Sequence, residues 1–266
     1  MKAARQPGDD IGARVQAQFG AHAERYVASQ VHAQGWSLER LLELVPPQAD
    51  WRTLDIATGG GHTALTYAPH VADVVALDLT QPILGAARQH IASQGVSNVS
   101  TVQADAEELP FADHSLDLVT CRLAAHHFPD TGLFVREVAR VLRPGGQMAL
   151  TDNVGPDDEG GARYVNAFEK LRDPSHNWKY SLDDWLRLFY EAGLDVTHHE
   201  VRDRFHDLDE WAERMSVSQV NRVRLRAMLV QAPAAAREQL APRQIGDRIE
   251  FNLPEAIIVG RRSESK

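Results

Sequence analysis

One short segment constrains the fold of this chain more than any other, because an apolar strand runs directly into consecutive glycines and then into a helix. It reads Leu-Asp-Ile-Ala-Thr-Gly-Gly-Gly-His-Thr over residues 54–63. Glycines let the backbone approach a ligand closely, and the helix N-terminus behind them offers N–H groups to an anion. The segment therefore predicts a ligand-binding turn between a strand and a helix.

Short runs rich in Val, Leu and Ile alternate with helix-like segments between residues 53 and 153. This alternation is typical of βαβ units and a parallel sheet, which predicts an α/β fold with a Rossmann-like, doubly wound sheet. The predicted strands are Thr53–Ala57, Val74–Asp78, Val99–Ala104, Leu116–Arg122 and Gln147–Asp152. The predicted helices are His62–Pro69, Pro82–Gln94 and Gly132–Leu142, the last ended by Pro144-Gly145-Gly146.

The segments on either side are expected to complete one domain. Residues 1–50 are predicted to form an N-terminal helical lid, 51–154 the core with the glycine turn, and 155–266 an insertion, a helical cap and the final strands. The polar stretch 155–180 is predicted to be an irregular insertion over the sheet edge. Beyond it come a helix from Ser181 to Ala192, a strand at 195–201, helices between Leu208 and Leu240, and strands at 248–253 and 256–261, one of them antiparallel.

Composition excludes several classes of function. The 266 residues carry a net charge of −9, which argues against a broad nucleic-acid surface, because phosphate binding needs clustered Lys and Arg. The single cysteine, Cys121, forms no internal disulfide by itself. No apolar run is long enough to span a membrane, and no signal peptide is visible. A small-molecule substrate and a cytoplasmic location are the expectations.

Two acidic residues narrow the choice of ligand. Asp55 stands just before the turn, and Asp78 ends the next strand, where a carboxylate can accept hydrogen bonds from ribose hydroxyls. The turn also fits the G-x-G-x-x-A pattern of dinucleotide sites, so a nicotinamide-dependent oxidoreductase stays open. A charge at Asp55 would face a pyrophosphate unfavourably, whereas a cofactor with an ammonium group would be attracted to it.

Three later segments follow in order: Asp-Ala-Glu-Glu-Leu-Pro-Phe at 105–111, Ser-Leu-Asp-Leu-Val at 115–119 and Leu-Arg-Pro-Gly-Gly at 142–146. With the glycine turn, they resemble the class I S-adenosylmethionine-dependent methyltransferases, particularly the small-molecule branch with the ubiquinone and menaquinone biosynthesis C-methyltransferases. The resemblance covers residues 51–153. It implies methyl transfer from S-adenosylmethionine, giving S-adenosylhomocysteine, to an oxygen, nitrogen or carbon of a small metabolite.

The resemblance also implies a set of cofactor-binding residues. Gly59 and Gly61 would pack against the methionine part, Asp78 would hold the ribose, and Asp105 and Ala106 would contact the adenine. Arg122 matches a position that lines the cofactor pocket, and Tyr26 of the helical lid could touch the methionine end or pack in the core. The full predicted set is Tyr26, Asp55, Thr58, Gly59, Gly61, Asp78, Leu79, Asp105, Ala106 and Arg122.

The residues after the fourth strand are expected to face the methyl group, because ligands of open α/β sheets bind outside the carboxyl ends of the strands. His126 and His127 lie there, and either could act as the general base; the alternative is that one packs inside and the other caps the following helix. Adjacent strand residues point to opposite faces, so neither this pair nor His198-His199 is expected to hold a metal.

A substrate site is predicted on the same rim and on the insertion. The candidates are Asn153, Arg172, His176 and Tyr180. Their aromatic and hydrogen-bonding groups suit a small planar or polar substrate, although a solvated loop explains the last three equally well. A protein that binds S-adenosylmethionine without transferring methyl, as an enzyme or a regulator, and a homodimer both stay open.

Overall fold

A seven-stranded sheet, which we call the large sheet, determines the shape of the molecule. The structure is a computed structural model that describes residues 12–14, 16 and 35–264. The strands are β1 Arg52–Ile56, β2 Asp73–Asp78, β3 Val99–Gln103, β4 Leu116–Arg122, β5 Leu142–Asn153, β6 Leu194–Arg202, β7 Phe205–Asp207, β8 Arg243–Ile245, β9 Arg248–Asn252 and β10 Glu255–Arg262. The α-helices are α1 Trp36–Leu44, α2 His62–Tyr67, α3 Gln81–Ser93, α4 Thr131–Val141, α5 Glu159–Arg172, α6 Leu182–Glu191, α7 Leu208–Glu213, α8 Gln219–Val230 and α9 Ala234–Leu240.

Seven strands form the large sheet in the order β3-β2-β1-β4-β5-β10-β6. The neighbours from β3 to β5 are parallel, whereas β10 is antiparallel to both β5 and β6. The strand order changes direction between β1 and β4, which is where open α/β sheets bind ligands. The predicted Rossmann-like, mostly parallel sheet with an antiparallel strand near the C-terminus is confirmed.

Both faces of the sheet are covered, which explains the continuous apolar character of its strands. On one face, Leu54 and Val75 pack in a core with Phe134 of α4 and Trp185 of α6. On the other face, Leu41 of α1, Tyr67 of α2 and residues such as Val74, Ala76, Leu118, Ala149 and Ile257 form a second core. Burial on both sides fixes the ends of the strands that carry the site.

The strand predicted to begin at Gln147 begins at Leu142, so this boundary was wrong. Leu116 pairs with Leu142 but Leu118 pairs with Gln147, and the residues between them bulge out of the ladder. Gly145 has a φ of +79°, and a Cβ added at Gly146 would lie 2.9 Å from the carbonyl oxygen of Arg143. The glycines were interpreted as the helix stop, but they allow a strand that has already begun to bulge.

The antiparallel strand β10 depends on one close contact with α6. A Cβ added at Gly260 would lie 2.5 Å from Cδ1 of Phe189, which is fully buried. The sheet register also shifts between Val259 and Gly260. Glycine therefore lets the aromatic ring pack directly on the strand backbone.

The prediction of an irregular stretch at 155–180 was wrong, because residues 159–172 form α5. The side chain of Asp158 caps this helix by accepting a hydrogen bond from the N–H of Gly161 at 2.7 Å. A Cβ at Gly161 would lie 3.0 Å from Cβ of Ala235 in α9. The glycine therefore permits close helix packing instead of forming a turn.

The elements α5, α7, α8, α9 and β7 to β9, which we call the cap, have a core of their own. Val165 and Phe168 of α5 pack with Trp211, Leu225 and Phe251 from α7, α8 and β9. A three-stranded sheet in the order β7-β9-β8 closes this unit. The helix predicted after Ser181 is confirmed, with the Ser181 hydroxyl capping it.

Candidate functional site

The glycine turn has a backbone that mostly glycine adopts. After β1, the φ angles of Ala57, Gly59 and Gly61 are +51°, +54° and +80°. The N–H of Thr58 donates to the carbonyl oxygen of Leu77 at 2.9 Å, which fixes the turn to β2. Gly61 is the N-cap of α2 and lies against the Ile91 side chain. Contacts with β2 and with Ile91 of α3 thus hold one side of the turn, while its other side faces outward.

Asp55 is buried at the end of β1 and is held by two threonines. Its two carboxylate oxygens accept hydrogen bonds from Oγ1 of Thr58 at 2.7 Å and from Oγ1 of Thr120 at 2.8 Å. Burial raises the pKa of Asp55 to about 6, although both hydrogen bonds and the charge of Arg122 oppose the rise. Because burial disfavours the charged form of this carboxylate, a cationic partner would stabilise it.

Asp78 occupies the matching position at the end of β2. It accepts hydrogen bonds from the N–H groups of Thr80 at 2.9 Å and Gly59 at 3.2 Å. Burial raises its pKa, against the effect of these hydrogen bonds. The contact with Gly59 joins the two strand ends into one rim.

A cavity opens in front of this rim, with about 1070 Å³ of empty space including its open mouth. Nine predicted site residues line it: Asp55, Thr58, Gly59, Asp78, Leu79, Asp105, Ala106, Arg122 and His127. Sequence reasoning missed the apolar wall at Ile83, whereas Phe128 belongs to the segment after the fourth strand that was expected to face the methyl group. Ile83 belongs to the apolar face of α3, so only the fold shows that it also faces a cavity. Predicted Tyr26 lies outside the described residues.

Arg122 places a positive charge on the wall of this cavity. The residue is buried, and its guanidinium group donates to Oγ1 of Thr63 at 3.4 Å and to the Ser37 hydroxyl at 3.5 Å. Burial lowers its pKa, while the charges of Glu255 and Asp55 oppose this. The cavity therefore presents a cation and the Asp55 carboxylate at one end.

The two predicted catalytic histidines occupy different positions. His127 is buried and lines the cavity, whereas His126 does not belong to the lining. The two rings lie 4.2 Å apart between centroids. Nδ1 of His126 lies 2.6 Å from Oδ1 of Asp152, and the N–H of His126 donates to Oδ2 at 2.9 Å.

The charge states of the two histidines diverge. Burial lowers the pKa of His126, but the charge and hydrogen bond of Asp152 outweigh burial, and the net pKa is raised. For His127, burial and then the charge of His126 lower the pKa to about 4. His127 is therefore neutral at neutral pH, which is the state a general base requires.

Ser175 and Asp173 complete this cluster, and sequence reasoning missed Ser175. Nδ1 of His127 lies 3.1 Å from the carbonyl oxygen of Ser175 and 3.3 Å from its Oγ. That hydroxyl donates to Oδ1 of Asp173 at 2.5 Å. Because the carbonyl oxygen can only accept, Nδ1 carries the proton and Nε2 is the basic nitrogen of the neutral ring.

The four predicted substrate residues do not line the cavity. Arg172 lies over the Trp211 ring, 4.3 Å from its centroid, and Tyr180 packs edge-on against Trp185. Nε2 of His176 lies 2.7 Å from Oδ1 of Asn166, and its ring centroid is 5.6 Å from that of His126. Asn153 ends β5 on the rim, opposite Glu255 of β10.

Two further findings concern metals and membranes. Among residues 12–14, 16 and 35–264, no group of three or more His, Cys, Asp or Glu side chains is arranged to hold a metal ion. Within the same ranges, no helix has the length and apolar character needed to cross a bilayer.

Known proteins resemble this chain over most of its length. A family model described as a methyltransferase domain matches residues 54–150. The relative named uncharacterized methyltransferase YcgJ, from Bacillus subtilis (strain 168), is 35% identical over 244 residues, which cover 91% of this chain and 96% of the relative. The crystal structure of the YcgJ protein from Bacillus subtilis aligns with a TM-score of 0.83 at 34% identity, over 86% of this chain and 99% of that chain.

A more partial similarity involves a protein whose name states its substrate. The demethylmenaquinone methyltransferase of Listeria monocytogenes serotype 4a (strain HCC23) is 31% identical over 136 residues. That match covers 50% of this chain and 57% of the relative.

Proposed function

This chain belongs to the S-adenosylmethionine-dependent methyltransferases, and we propose that it methylates a small-molecule acceptor at the rim beside His127. The observation that carries the proposal is that His127 and the acidic turn line the same cavity. A base and a cofactor site in one cavity provide what methyl transfer to a protonated nucleophile requires.

The residues of the cavity fit this cofactor in charge and shape. Buried Asp55 suits an ammonium group, and Arg122 beside it suits a carboxylate, so together they match the methionine end. Asp78 suits the ribose hydroxyls. Asp105, whose Oδ1 accepts from the N–H of Glu107 at 2.9 Å, suits the adenine amine, and Ile83 provides an apolar wall for the ring.

The protein's own contribution is to orient the acceptor and remove its proton. The sulfonium of S-adenosylmethionine supplies a methyl group that is already activated for in-line displacement. His127, neutral because burial and His126 lower its pKa, accepts the acceptor's proton at Nε2. The charge of Asp173 raises the pKa of His127 against burial, so the Ser175–Asp173 pair stabilises the protonated ring.

The class of acceptor does not follow from the Listeria relative. Its match spans half of this chain, and the cap beyond β5 has helices and strands of its own. We therefore propose only a small molecule whose reacting atom carries a removable proton.

The test is transfer of labelled methyl from S-adenosylmethionine to a metabolite extract. We expect His127→Ala to lower the rate at least ~100-fold while S-adenosylhomocysteine binds as in wild type. The matched control is His70→Ala, at an exposed histidine outside the cavity lining.

Two results would contradict the proposal. If His127→Ala transfers methyl as fast as wild type, His127 is not the base. If S-adenosylhomocysteine binds but no extract fraction is ever labelled, the protein binds the cofactor without transferring methyl to a small molecule.

A further inference from the structure

Three arginines of the cap lie around one group of aromatic side chains. They are Arg172 at the end of α5, Arg204 just before β7 and Arg214 just after α7, and we call them the arginine cluster. The group of aromatic side chains consists of Trp211, His206 and Phe251. The Trp211 and Phe251 rings lie 4.9 Å apart between centroids, and the His206 and Phe251 rings 5.9 Å.

Direct contacts hold two of the arginines against these rings. The Arg172 guanidinium lies 4.3 Å from the Trp211 centroid, and its Nε donates to the Trp211 carbonyl oxygen at 3.1 Å. Nη2 of Arg214 lies 3.5 Å from Nδ1 of His206. A guanidinium stacked on a ring is already oriented, so it loses less conformational freedom when it binds a ligand.

The third arginine connects the cluster to the edge of the large sheet. Arg204 forms an ion pair with Glu255, which is fully buried. Glu255 lies opposite Asn153 at the end of β5, on the rim where the acceptor is proposed to bind. The charge of Arg204 also lowers the pKa of Arg122, which lines the cofactor cavity.

Positive charge in this cluster exceeds the available negative charge. In the part of the chain that the structure describes, the Arg214 side chain has no acidic group within 4 Å, and its only polar contact is with His206. Two of the nearby acids are already paired, since Glu255 binds Arg204 and Glu169 binds Lys179 at 2.9 Å. A chain with a net charge of −9 has enough acids to neutralise these arginines, but the acid that acts on Arg214, Glu210, forms no ion pair with it within 4 Å.

The pKa shifts of His206 and Arg214 agree with this excess of positive charge. Burial, followed by the charges of Arg204 and Arg214, lowers the pKa of His206 to about 3. Partial burial of its guanidinium, followed by the charges of Arg172 and Arg204, lowers the pKa of Arg214, although the residue as a whole is exposed. Like charges placed together in this way favour an anion.

The cluster also lies next to the proposed base. Arg172 directly precedes Asp173, which accepts from Ser175, and Oγ of Ser175 lies 3.3 Å from Nδ1 of His127. Arg172 is therefore one residue in the chain from the Asp173–Ser175 pair that contacts His127.

We propose that the arginine cluster binds an oxyanion, a carboxylate or a phosphate, carried by the methyl acceptor. This inference rests on the proposed function and names its substrate class. Guanidinium groups bind carboxylate and phosphate through two parallel hydrogen bonds, so the cluster fixes one end of the acceptor while its reacting atom lies near His127.

The test measures binding of two probes, inorganic phosphate and acetate, by calorimetry at constant ionic strength, with and without S-adenosylhomocysteine. We expect at least one probe to bind wild type, and Arg214→Gln to weaken that binding by about fivefold or more. Arg214→Lys, which keeps the charge but loses the planar fork, should lie between the two. The matched control is Arg224→Gln, at an exposed arginine of α8 that contacts Asn221.

Each outcome is informative. Binding of phosphate alone or of acetate alone supports the proposal and identifies the oxyanion. If neither probe binds, or if Arg214→Gln and Arg224→Gln bind the probes equally, the cluster is not an oxyanion site. Failure of S-adenosylhomocysteine to bind wild type would overturn the proposed function instead, because phosphate and acetate binding is measured separately. Thermal melting of each variant verifies that it is folded.

Discussion

Asp152 holds His126 at two points, accepting from its backbone N–H at 2.9 Å and lying 2.6 Å from its Nδ1. Because this contact raises the pKa of His126, a positive charge is favoured beside His127, whose pKa is lowered to about 4. Asp152 thus affects the proposed base through a second histidine.

The first prediction concerns the pH dependence of this pair. A base must be deprotonated, so the wild-type rate should fall as pH falls through about 4. In His126→Gln the neighbouring positive charge is gone, so the pKa of His127 rises and the rate should fall at a higher pH. The measurement is kcat/KM against pH, with His70→Gln as control. An unshifted acid limb in His126→Gln would contradict the assignment of His127 as base.

The second prediction concerns Ser175, which we interpret as a positioning residue for His127. Ser175→Ala removes the hydroxyl between the ring and Asp173. We expect kcat to fall about tenfold with KM nearly unchanged, and Ser175→Thr, which keeps a hydroxyl, to restore part of the rate. A merely structural role would lower thermal stability without changing kcat of the folded fraction.

The third prediction concerns the stability cost of Asp55. Burial raises its pKa from 3.8 to about 6. This shift corresponds to a loss of about 3 kcal/mol of unfolding free energy at neutral pH. For an acid with a raised pKa, this loss develops as pH rises from 3.8 towards 6. Asp55→Asn should therefore melt higher than wild type at pH 8, with little difference at pH 4, and bind S-adenosylhomocysteine more weakly. Equal melting temperatures at pH 8 would contradict this account.

The fourth prediction separates backbone strain from ligand contact. Gly59 and Gly95 both have positive φ, +54° and +68°, and a Cβ added at either position meets no atom within 4 Å. Gly59→Ala and Gly95→Ala should each lower the unfolding free energy by about 1–2 kcal/mol. Because Gly59 lines the cavity, only Gly59→Ala should also weaken S-adenosylhomocysteine binding, measured by calorimetry. If the two variants bind S-adenosylhomocysteine equally well, Gly59 does not contact the cofactor.

Local patterns predicted the features that local forces determine. The predicted strand Leu116–Arg122 matches β4, and the other parallel strands were found, because residues buried on two faces form continuous apolar runs. Asp55 and Asp78 could be placed at the cavity because each is at or near the end of a parallel strand. The roles assigned to individual site residues stay predictions.

Features that depend on distant contacts were not visible in the sequence. Ser175 and His127 are 48 residues apart in the chain, and nothing near either residue indicates that they meet. Gly161, in the first turn of α5, was interpreted as part of an irregular stretch, because the reason for a glycine there is the approach of Ala235, far along the chain. Likewise, Arg172 was expected on a substrate loop, and the arginine cluster appears only once Trp211 packs beneath it.

The position of β10 has a consequence for how the molecule is made. This strand lies between β5 and β6 although it follows every other strand of the large sheet in the chain. Until its residues leave the ribosome, β5 is an open edge and β6 has no neighbour in the sheet, so the nascent chain exposes surfaces on which other chains can pair. Assembly must therefore wait for β10, and chaperone dependence should be greatest just before its residues leave the ribosome.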